Sequence, residues 1–184
     1  MLALLAGLAM AGCTPSKVTA DRYKYLIKAT PEDNVATKTQ SENDLIKDKV
    51  ISMNLGEKLV PVLTEAKDYL GTPYQYGGKS KSGIDCSGLT CVCYEKAGIA
   101  LPRSAADQSQ YGEKVERDAL QVGDLVCFDA KGKGKIDHVG MVTKAEGKEV
   151  IFIHSSTSKG VRYDYLNEGY WTDKLVEARR VPVK

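Results

Sequence analysis

The spacing of the apolar residues changes near residue 120, and this change limits the folds that the chain can adopt. Before it, one apolar face of a predicted helix over about 55–70 carries Leu59, Val62, Leu63, Ala66 and Leu70. After it, short strand-like runs are separated by turn residues, at 124–128, 136–143, 149–154, 161–165 and 174–180. Helices followed by closely spaced strands predict an α+β domain with N-terminal helices packed on an antiparallel β-sheet.

A cysteine opens the second predicted helix. Asp85 is a good N-cap residue, and apolar residues at helical spacing follow Cys86 until about Gly98. A thiol at a helix N-terminus faces free backbone N–H groups and the positive end of the helix dipole, which favour the thiolate. Cys86 is therefore a candidate nucleophile. A short third helix is predicted from Ser104, its cap, to about Tyr111.

The chain contains two histidines, His138 and His154, and each falls within a strand-like run. The alternation of side chains along neighbouring strands predicts that the two rings lie side by side on one face of the sheet, toward the Cys86 helix. Gly140, on the same face as His138, would leave room for a close neighbour. Because a thiolate needs a base and the base needs an orienting group, Cys86, His138 and His154 predict a cysteine hydrolase.

Charge and cysteine spacing exclude two other classes of protein. The formal net charge is +2 and no long run of like charges occurs, so we expect no nucleic-acid partner. Cys91 and Cys93 would point about 200° apart around one helix and cannot share a metal ion. Cys93 and Cys127 are expected to be small core residues. We therefore expect no metal and no organic cofactor.

The N-terminal residues predict export and lipidation. Residues 1–12 are apolar and small, too short to span a bilayer, and they precede Cys13 as small residues do at a bacterial lipoprotein cleavage site. Met10 stands where leucine is usual, and no basic residue precedes Lys17, so we expect a few further residues before Met1. The prediction is a signal segment over 1–12 and a lipidated Cys13.

The rest of the chain suffices for one globular domain with a short appendage. Residues 13–54 are polar and mixed, and we interpret them as a tether between the lipid and a single domain over 55–184. This arrangement places the protein in the bacterial cell envelope, anchored to a membrane through its N-terminus. We expect it to be a monomer.

Several short motifs follow one another in this domain, namely Gly71–Gly78, Gly83–Leu89, Leu101–Ser104, Asp107–Gln108, Val122–Val126, His138–Val142 and Ile153–Ser156. In this order they closely resemble the NlpC-type bacterial cell-wall peptidases, a circularly rearranged papain-like group. The resemblance covers about residues 57–184. The short lipoprotein with one catalytic domain resembles the Spr-like murein endopeptidases of that family.

The resemblance implies roles for the site residues. Cys86 would be the nucleophile, His138 its base and His154 the residue that orients His138. Tyr74 would place its hydroxyl near the nucleophile and polarise or position the scissile carbonyl. Backbone N–H groups at Cys86 and Ser87 would bind the developing oxyanion, because they lie at a helix start.

Four residues are candidates for the substrate groove: Asp85, Ser87, Arg103 and Ser104. Helix capping explains Asp85 equally well. We interpret Tyr76 as a packing residue.

The implied substrate is the peptide stem of peptidoglycan, cut at an amide of a D-amino acid. Two bonds stay open, the crosslink between stems and the bond between D-glutamate and the dibasic residue, and the layout favours the crosslink slightly. Two other functions are also open. One is a papain-like amidase or acyltransferase on a small acyl substrate, and the other is a catalytically idle wall-binding lipoprotein.

Overall fold

The computed structural model describes residues 58–183. The predicted signal segment, Cys13 and the tether over 13–54 lie outside these residues, as does the predicted start of the first helix. No helix in the described part of the chain is both long and apolar enough to cross a membrane.

Three helices precede the main sheet: α1 (Leu59–Asp68), α2 (Cys86–Glu95) and α3 (Ala105–Gln108). Helix α1 buries the predicted apolar face, which includes Val62, Leu63 and Ala66. All three helices were predicted, but each ends earlier than expected. Helix α2 ends before Gly98, whose φ of 74° places it in the left-handed region, where a helix cannot continue.

A short hairpin lies between α1 and α2. Its strands are β1 (Lys79–Ser80) and β2 (Gly83–Ile84), which pair antiparallel. This hairpin was not predicted, because its two-residue strands are too short to show an alternating pattern.

The main sheet has six antiparallel strands, β3 (Glu113–Val115), β4 (Leu125–Phe128), β5 (His138–Glu146), β6 (Glu149–Ser156), β7 (Gly160–Tyr165) and β8 (Leu175–Arg180). Strands β4 to β7 form the predicted meander. Strand β8 then returns to the other edge of β4, and β3, which was not predicted, pairs with β8. The predicted α+β class with helices on an antiparallel sheet is confirmed.

The sheet packs apolar side chains on both faces. One face packs against the helices and forms a core cluster with side chains such as Leu89 of α2. The strand residues of this cluster include Val139, Met141, Ile151 and Ile153. The opposite face forms a second cluster that includes Val126, Phe128, Val142, Phe152 and Leu166. The segment after β7 covers this second face through a single turn of 3₁₀ helix, Gly169–Trp171.

The predicted burial of two cysteines is confirmed. Cys93 lies in the cluster that α1 and α2 share with the sheet, and Cys127 lies in β4, and neither side chain is exposed to solvent. Both are free thiols. They act as small apolar residues, as expected where a core has no room for a larger side chain.

Candidate active site

Helix α2 begins at Cys86 because Asp85 caps it. The Asp85 backbone is extended, and its Oδ1 accepts the backbone N–H of Gly88 at 2.6 Å. The thiol of Cys86 is buried and lies beside β5, where it accepts a hydrogen bond from the backbone N–H of Val139, the residue after His138. The cap therefore fixes the sulfur next to the first residues of β5.

The thiol is not biased toward the thiolate, contrary to the sequence prediction. Burial raises the pKa of Cys86, and the nearby Asp85 carboxylate adds to the rise. Hydrogen bonds from the backbone N–H groups of Val139, Ser87 and Cys86 itself oppose it. The loss of water around the sulfur outweighs the helix N-terminus, because a charged sulfur costs much more in a buried site.

The two histidines lie side by side, as predicted. His138 Nε2 and His154 Nδ1 are 2.8 Å apart, and both side chains are buried. Their predicted position toward the Cys86 helix is wrong. The rings share the opposite face with Phe128 and Phe152, because the apolar residues that alternate with them, Val139 among them, fill the face under α2.

Both rings are neutral at neutral pH. Burial and, to a lesser extent, the neighbouring His154 lower the pKa of His138 to about 3, against a smaller opposing effect of Asp164. Burial also lowers the pKa of His154, although Asp164 opposes this shift. Within the described residues no hydrogen bond joins the thiol of Cys86 to His138. The resting site thus holds a neutral thiol and a neutral imidazole, and their pairing stays a prediction.

Trp171 holds both rings in place, and it was not predicted from the sequence. Its indole stacks on His138, with ring centroids 5.1 Å apart and planes at 21°, and it meets His154 edge-on at 4.9 Å. The predicted close neighbour of Gly140 is also an aromatic ring, since a Cβ at Gly140 would lie 2.5 Å from Phe152. Trp171 is the only tryptophan of the chain, but its turn lies outside any strand pattern.

Asp164 and Arg162 of β7 also belong to the site, and neither was predicted. The carboxylate Oδ2 of Asp164 lies 2.8 Å from His154 Nε2, and Oδ1 accepts the Arg162 guanidinium at 2.8 and 3.0 Å. His154 is opposite Arg162 in the β6–β7 register. The alternation of side chains along the predicted strand 161–165 was a signal that could have revealed both residues.

Asp85 is also the centre of a second network, on the other side of Cys86. Its two oxygens accept both Nη atoms of Arg103, at 2.9 and 2.6 Å, and Oδ2 also accepts the N–H of Gly77 at 2.8 Å. Arg103 donates to the Ser87 hydroxyl at 2.9 Å as well. Burial acts to raise the pKa of Asp85, but these donors hold it below its ordinary value. The capping interpretation of Asp85 is confirmed, and its contact with substrate stays a prediction.

The remaining predicted groove residues differ in their surroundings. Ser104 caps α3 by accepting the N–H of Asp107 at 3.1 Å. Tyr74 is half-buried, and burial together with the nearby Cys86 raises its pKa, so its hydroxyl is protonated. The packing interpretation of Tyr76 is wrong, since 89% of this residue is exposed. The loop pairs with Ile84 through Tyr74, and this pairing leaves Tyr76 pointing into solvent.

A cleft of about 750 Å³ opens beside the histidines. Its walls include Tyr74, His138, Trp171, Lys159 and Glu168, so aromatic rings and charges of both signs line it. No group of His, Cys, Asp and Glu side chains among residues 58–183 is arranged to hold a metal ion. The arrangement as a whole supplies a thiol, a neutral base and an open groove for a substrate.

Comparisons with known proteins show which sequences this domain resembles. The sequence model of the NlpC/P60 family matches residues 71–180. The gamma-DL-glutamyl hydrolase of Bacillus subtilis is 44% identical over 123 residues, which cover 66% of this chain and 29% of that protein. The murein DD-endopeptidase MepS/murein LD-carboxypeptidase of Escherichia coli is 40% identical over 121 residues, 65% of this chain and 61% of that protein. The chain thus spans less than two thirds of these relatives.

Solved structures show the same fold. An NlpC/P60 family protein from Bacillus cereus superposes with a TM-score of 0.60 at 35% identity, over 67% of this chain and 40% of that chain. A protein of the same family from Staphylococcus aureus, described as similar to a lipoprotein, gives a TM-score of 0.60 at 32% identity, over 76% and 49%.

Proposed function

The chain belongs to the NlpC/P60 family, and on that basis we propose that it is a cysteine peptidase that hydrolyses an amide bond in the peptide stem of bacterial peptidoglycan. One observation carries the proposal. The capped start of α2 holds the Cys86 sulfur against the backbone N–H of Val139, the residue that follows His138, and the His138 ring is hydrogen-bonded to that of His154. The names of the relatives, a murein endopeptidase and a glutamyl hydrolase, support the substrate class.

The first half of the reaction transfers the acyl group to sulfur. As substrate binds, His138 takes the proton of the Cys86 thiol, and the sulfur attacks the amide carbonyl carbon. A carbon–sulfur bond forms while the carbonyl π electrons move to oxygen. Backbone N–H groups in the first turn of α2 and the protonated Tyr74 hydroxyl are the donors available to this oxyanion.

The second half releases both products. Protonated His138 gives its proton to the leaving nitrogen as the carbon–nitrogen bond breaks, which leaves a thioester on Cys86. Water then attacks the thioester carbonyl while His138 removes a proton from that water. Collapse of the second tetrahedral intermediate expels the Cys86 sulfur, which regains the proton from His138. No group outside the chain is needed to balance these steps.

The two networks around Cys86 suggest how the substrate lies. The leaving amine must be near His138, so the cleft beside His138 and Trp171 would take the amine half. The acyl half would then lie toward Asp85, Ser87, Arg103 and Ser104. Arg103 is 42% exposed in its side chain and is the cation on that side, suited to a carboxylate of the stem.

The bond within the stem is part of the proposal. We place cleavage at the crosslink between stems, following the single-domain lipoprotein layout, while the names of the relatives divide between this bond and a glutamyl bond. The proposed setting is the cell envelope, with a lipid anchor at Cys13 and a monomeric enzyme.

Digestion of purified muropeptides tests the function. The protein, with Cys86 reduced, is incubated separately with crosslinked dimers and with monomeric stem peptides, and products are identified by mass. Monomers released from dimers would support the crosslink, and shortened stems from monomers would support the glutamyl bond. Cleavage of neither by the folded protein would contradict the proposal, and turnover of small ester or acyl substrates in their place would favour an acyltransferase.

A further inference from the structure

A line of hydrogen bonds continues from the histidine pair away from Cys86. His154 is wholly buried and contacts His138 through Nδ1 and Asp164 through Nε2, each at 2.8 Å. Asp164 in turn accepts the guanidinium of Arg162 and, at 3.2 Å, the indole N–H of Trp171. The line therefore ends on a carboxylate that a cation holds in place.

The carboxylate sets the direction of every proton in this line. An ionised carboxylate only accepts hydrogen bonds, so the Nε2 atom of His154 must carry its proton. Neutral His154 then has its lone pair on Nδ1, which accepts the Nε2–H of His138. His138, also neutral, is left with its lone pair on Nδ1. The charge of Asp164, which reaches His138 through His154, thus decides which nitrogen of His138 can take a proton.

We propose that Asp164 is a positioning residue that fixes the tautomers of His154 and His138, so that His138 presents Nδ1 as the base. The tautomers follow from the contacts together with an ionised Asp164 and two neutral rings, and their use by Cys86 rests on the proposed function. Asp164 touches no reacting atom and acts through His154.

The contacts explain why an amide could not replace this carboxylate. Each oxygen of Asp164 faces only donors, the ring of His154 and the indole of Trp171 on Oδ2 and the guanidinium of Arg162 on Oδ1. An asparagine has one acceptor and must turn its NH₂ group toward one of these donor sets. Turned toward His154, the NH₂ group would donate to Nε2 and reverse the tautomer of that ring.

Other charged groups line the cleft but take no part in the hydrogen bonds from His138 through His154 to Asp164. Lys131, Asp137, Lys159 and Glu168 line its walls, and Lys131 lies 3.8 Å from Asp137. Among the described residues the carboxylate that reaches either ring by a hydrogen bond is that of Asp164. The tautomers are therefore expected to respond to Asp164 and not to the general charge of the cleft.

Nitrogen NMR of the imidazoles tests the proposal without substrate. The chain has two histidines, so protein labelled with ¹⁵N in histidine gives signals from this pair alone. In the wild-type protein at neutral pH both rings should carry the proton on Nε2. In Asp164→Asn the two rings should lose this uniform state, and Asp164→Glu, which keeps an acceptor-only group, should retain more of it.

Glu177→Gln is the matched control. Glu177 and Arg179 form the same pairing two residues apart on a strand, at 2.8 Å, but in β8, away from the histidines. This change removes a similar carboxylate and should leave both tautomers as they are. Turnover gives a second measurement: Asp164→Asn should lower kcat about 10- to 100-fold, the range known for carboxylates that orient metal-bound histidines, with KM little changed.

The outcomes separate the two proposals. A wild-type spectrum with His154 protonated on Nδ1 would overturn the inference. This test does not depend on whether a variant folds, because it uses the wild-type protein. Unchanged tautomers in a folded Asp164→Asn protein, judged by circular dichroism, would overturn it as well. Wild-type protein that shows the expected tautomers but cleaves no muropeptide would contradict the proposed function and leave the role of Asp164 standing.

Discussion

His138 and His154 meet edge to edge, with ring planes at 84° and Nε2 to Nδ1 at 2.8 Å. The contact joins the first residue of β5 to β6 across the sheet face that lies away from α2. It places the ring of His138 among aromatic side chains, whereas Cys86 lies on the side of the helices. In the proposed mechanism, proton transfer from the buried neutral thiol of Cys86 to the buried neutral ring of His138 is therefore part of the attack and is not completed before substrate binds.

Replacing Cys86 should abolish hydrolysis without unfolding the protein. The change Cys86→Ala removes the sulfur that would carry the acyl group, and it keeps the cap that Asp85 provides. We expect no product above background in the muropeptide digest, with an unchanged circular dichroism spectrum. Near-normal turnover would contradict the role of this residue.

Alkylation gives an independent check on the same thiol. Burial raises the pKa of Cys127 to about 12 and that of Cys93 well above its ordinary value, and both are closed to solvent. The Cys91 thiol donates to backbone carbonyls of Leu101 and Pro102. Mass spectrometry after brief iodoacetamide treatment should find Cys86 labelled before Cys91, Cys93 and Cys127, because backbone N–H groups at Cys86, Ser87 and Val139 stabilise its thiolate.

The two histidines should differ in their effect on turnover. In the proposed mechanism His138 transfers the proton and His154 orients the His138 ring. The change His138→Ala should therefore cost about 10²- to 10⁴-fold in kcat, as loss of a general base does. The change His154→Asn should cost less, because an amide can still hold the ring of His138. Equal and complete loss in both variants would contradict this division of roles.

The sequence predicts those elements of the molecule that show a regular pattern of residue types along the chain. The cap at Asp85, the helix after it and the strands around both histidines carry regular patterns, so they were placed within a few residues. The face on which the rings lie could not be predicted, because the same alternation fits either side until α2 is packed against Val139 and Met141. The sign of the thiol pKa shift was also missed, because burial of a particular sulfur depends on packing that no local pattern contains.

Folding stability should fall as the pH drops from 6.5 to 5. Burial lowers the pKa of His138 to about 3 and also lowers that of His154, so the unfolded chain binds protons that the folded site excludes. The His138 contribution is complete above about pH 6.5 and is lost below it, by on the order of 1 kcal/mol per pH unit, and His154 adds a loss in the same direction. Urea unfolding at several pH values measures this slope.

A variant with one ring isolates this effect. His138→Gln should reduce the pH slope of the unfolding free energy by on the order of 1 kcal/mol per pH unit, since the proton that the folded His138 excludes is gone. The window above pH 5 keeps ordinary carboxylates ionised in both states, so they add little to the slope. A slope that is the same in wild type and variant would show that His138 is not held neutral by burial.

Lipidation at Cys13 is expected to hold the protein on a membrane. Expressed behind an intact signal, Cys13→Ser should move from the membrane fraction to the soluble envelope fraction. Cys86→Ser, which makes the same chemical change inside the domain, should stay with the membrane. If Cys13→Ser also sediments with membranes, an uncleaved apolar segment or a surface of the domain must hold it there.

Loss of the Asp85 carboxylate should destabilise the protein more than loss of an ordinary helix cap. Asp85 caps α2 and also accepts hydrogen bonds from Gly77 and Arg103, whereas the bonds of Ser104 stay within the first turn of the short α3, at an exposed position. We expect Ser104→Ala to lower the free energy of unfolding by about 1 kcal/mol and Asp85→Ala by about 2–4 kcal/mol. Asp85→Asn keeps one acceptor for the cap but cannot bind Arg103 through two oxygens, so its loss should fall between these values. Chemical denaturation of the three variants measures the order, and equal losses for Asp85→Ala and Ser104→Ala would show that the arginine network adds nothing to the cap.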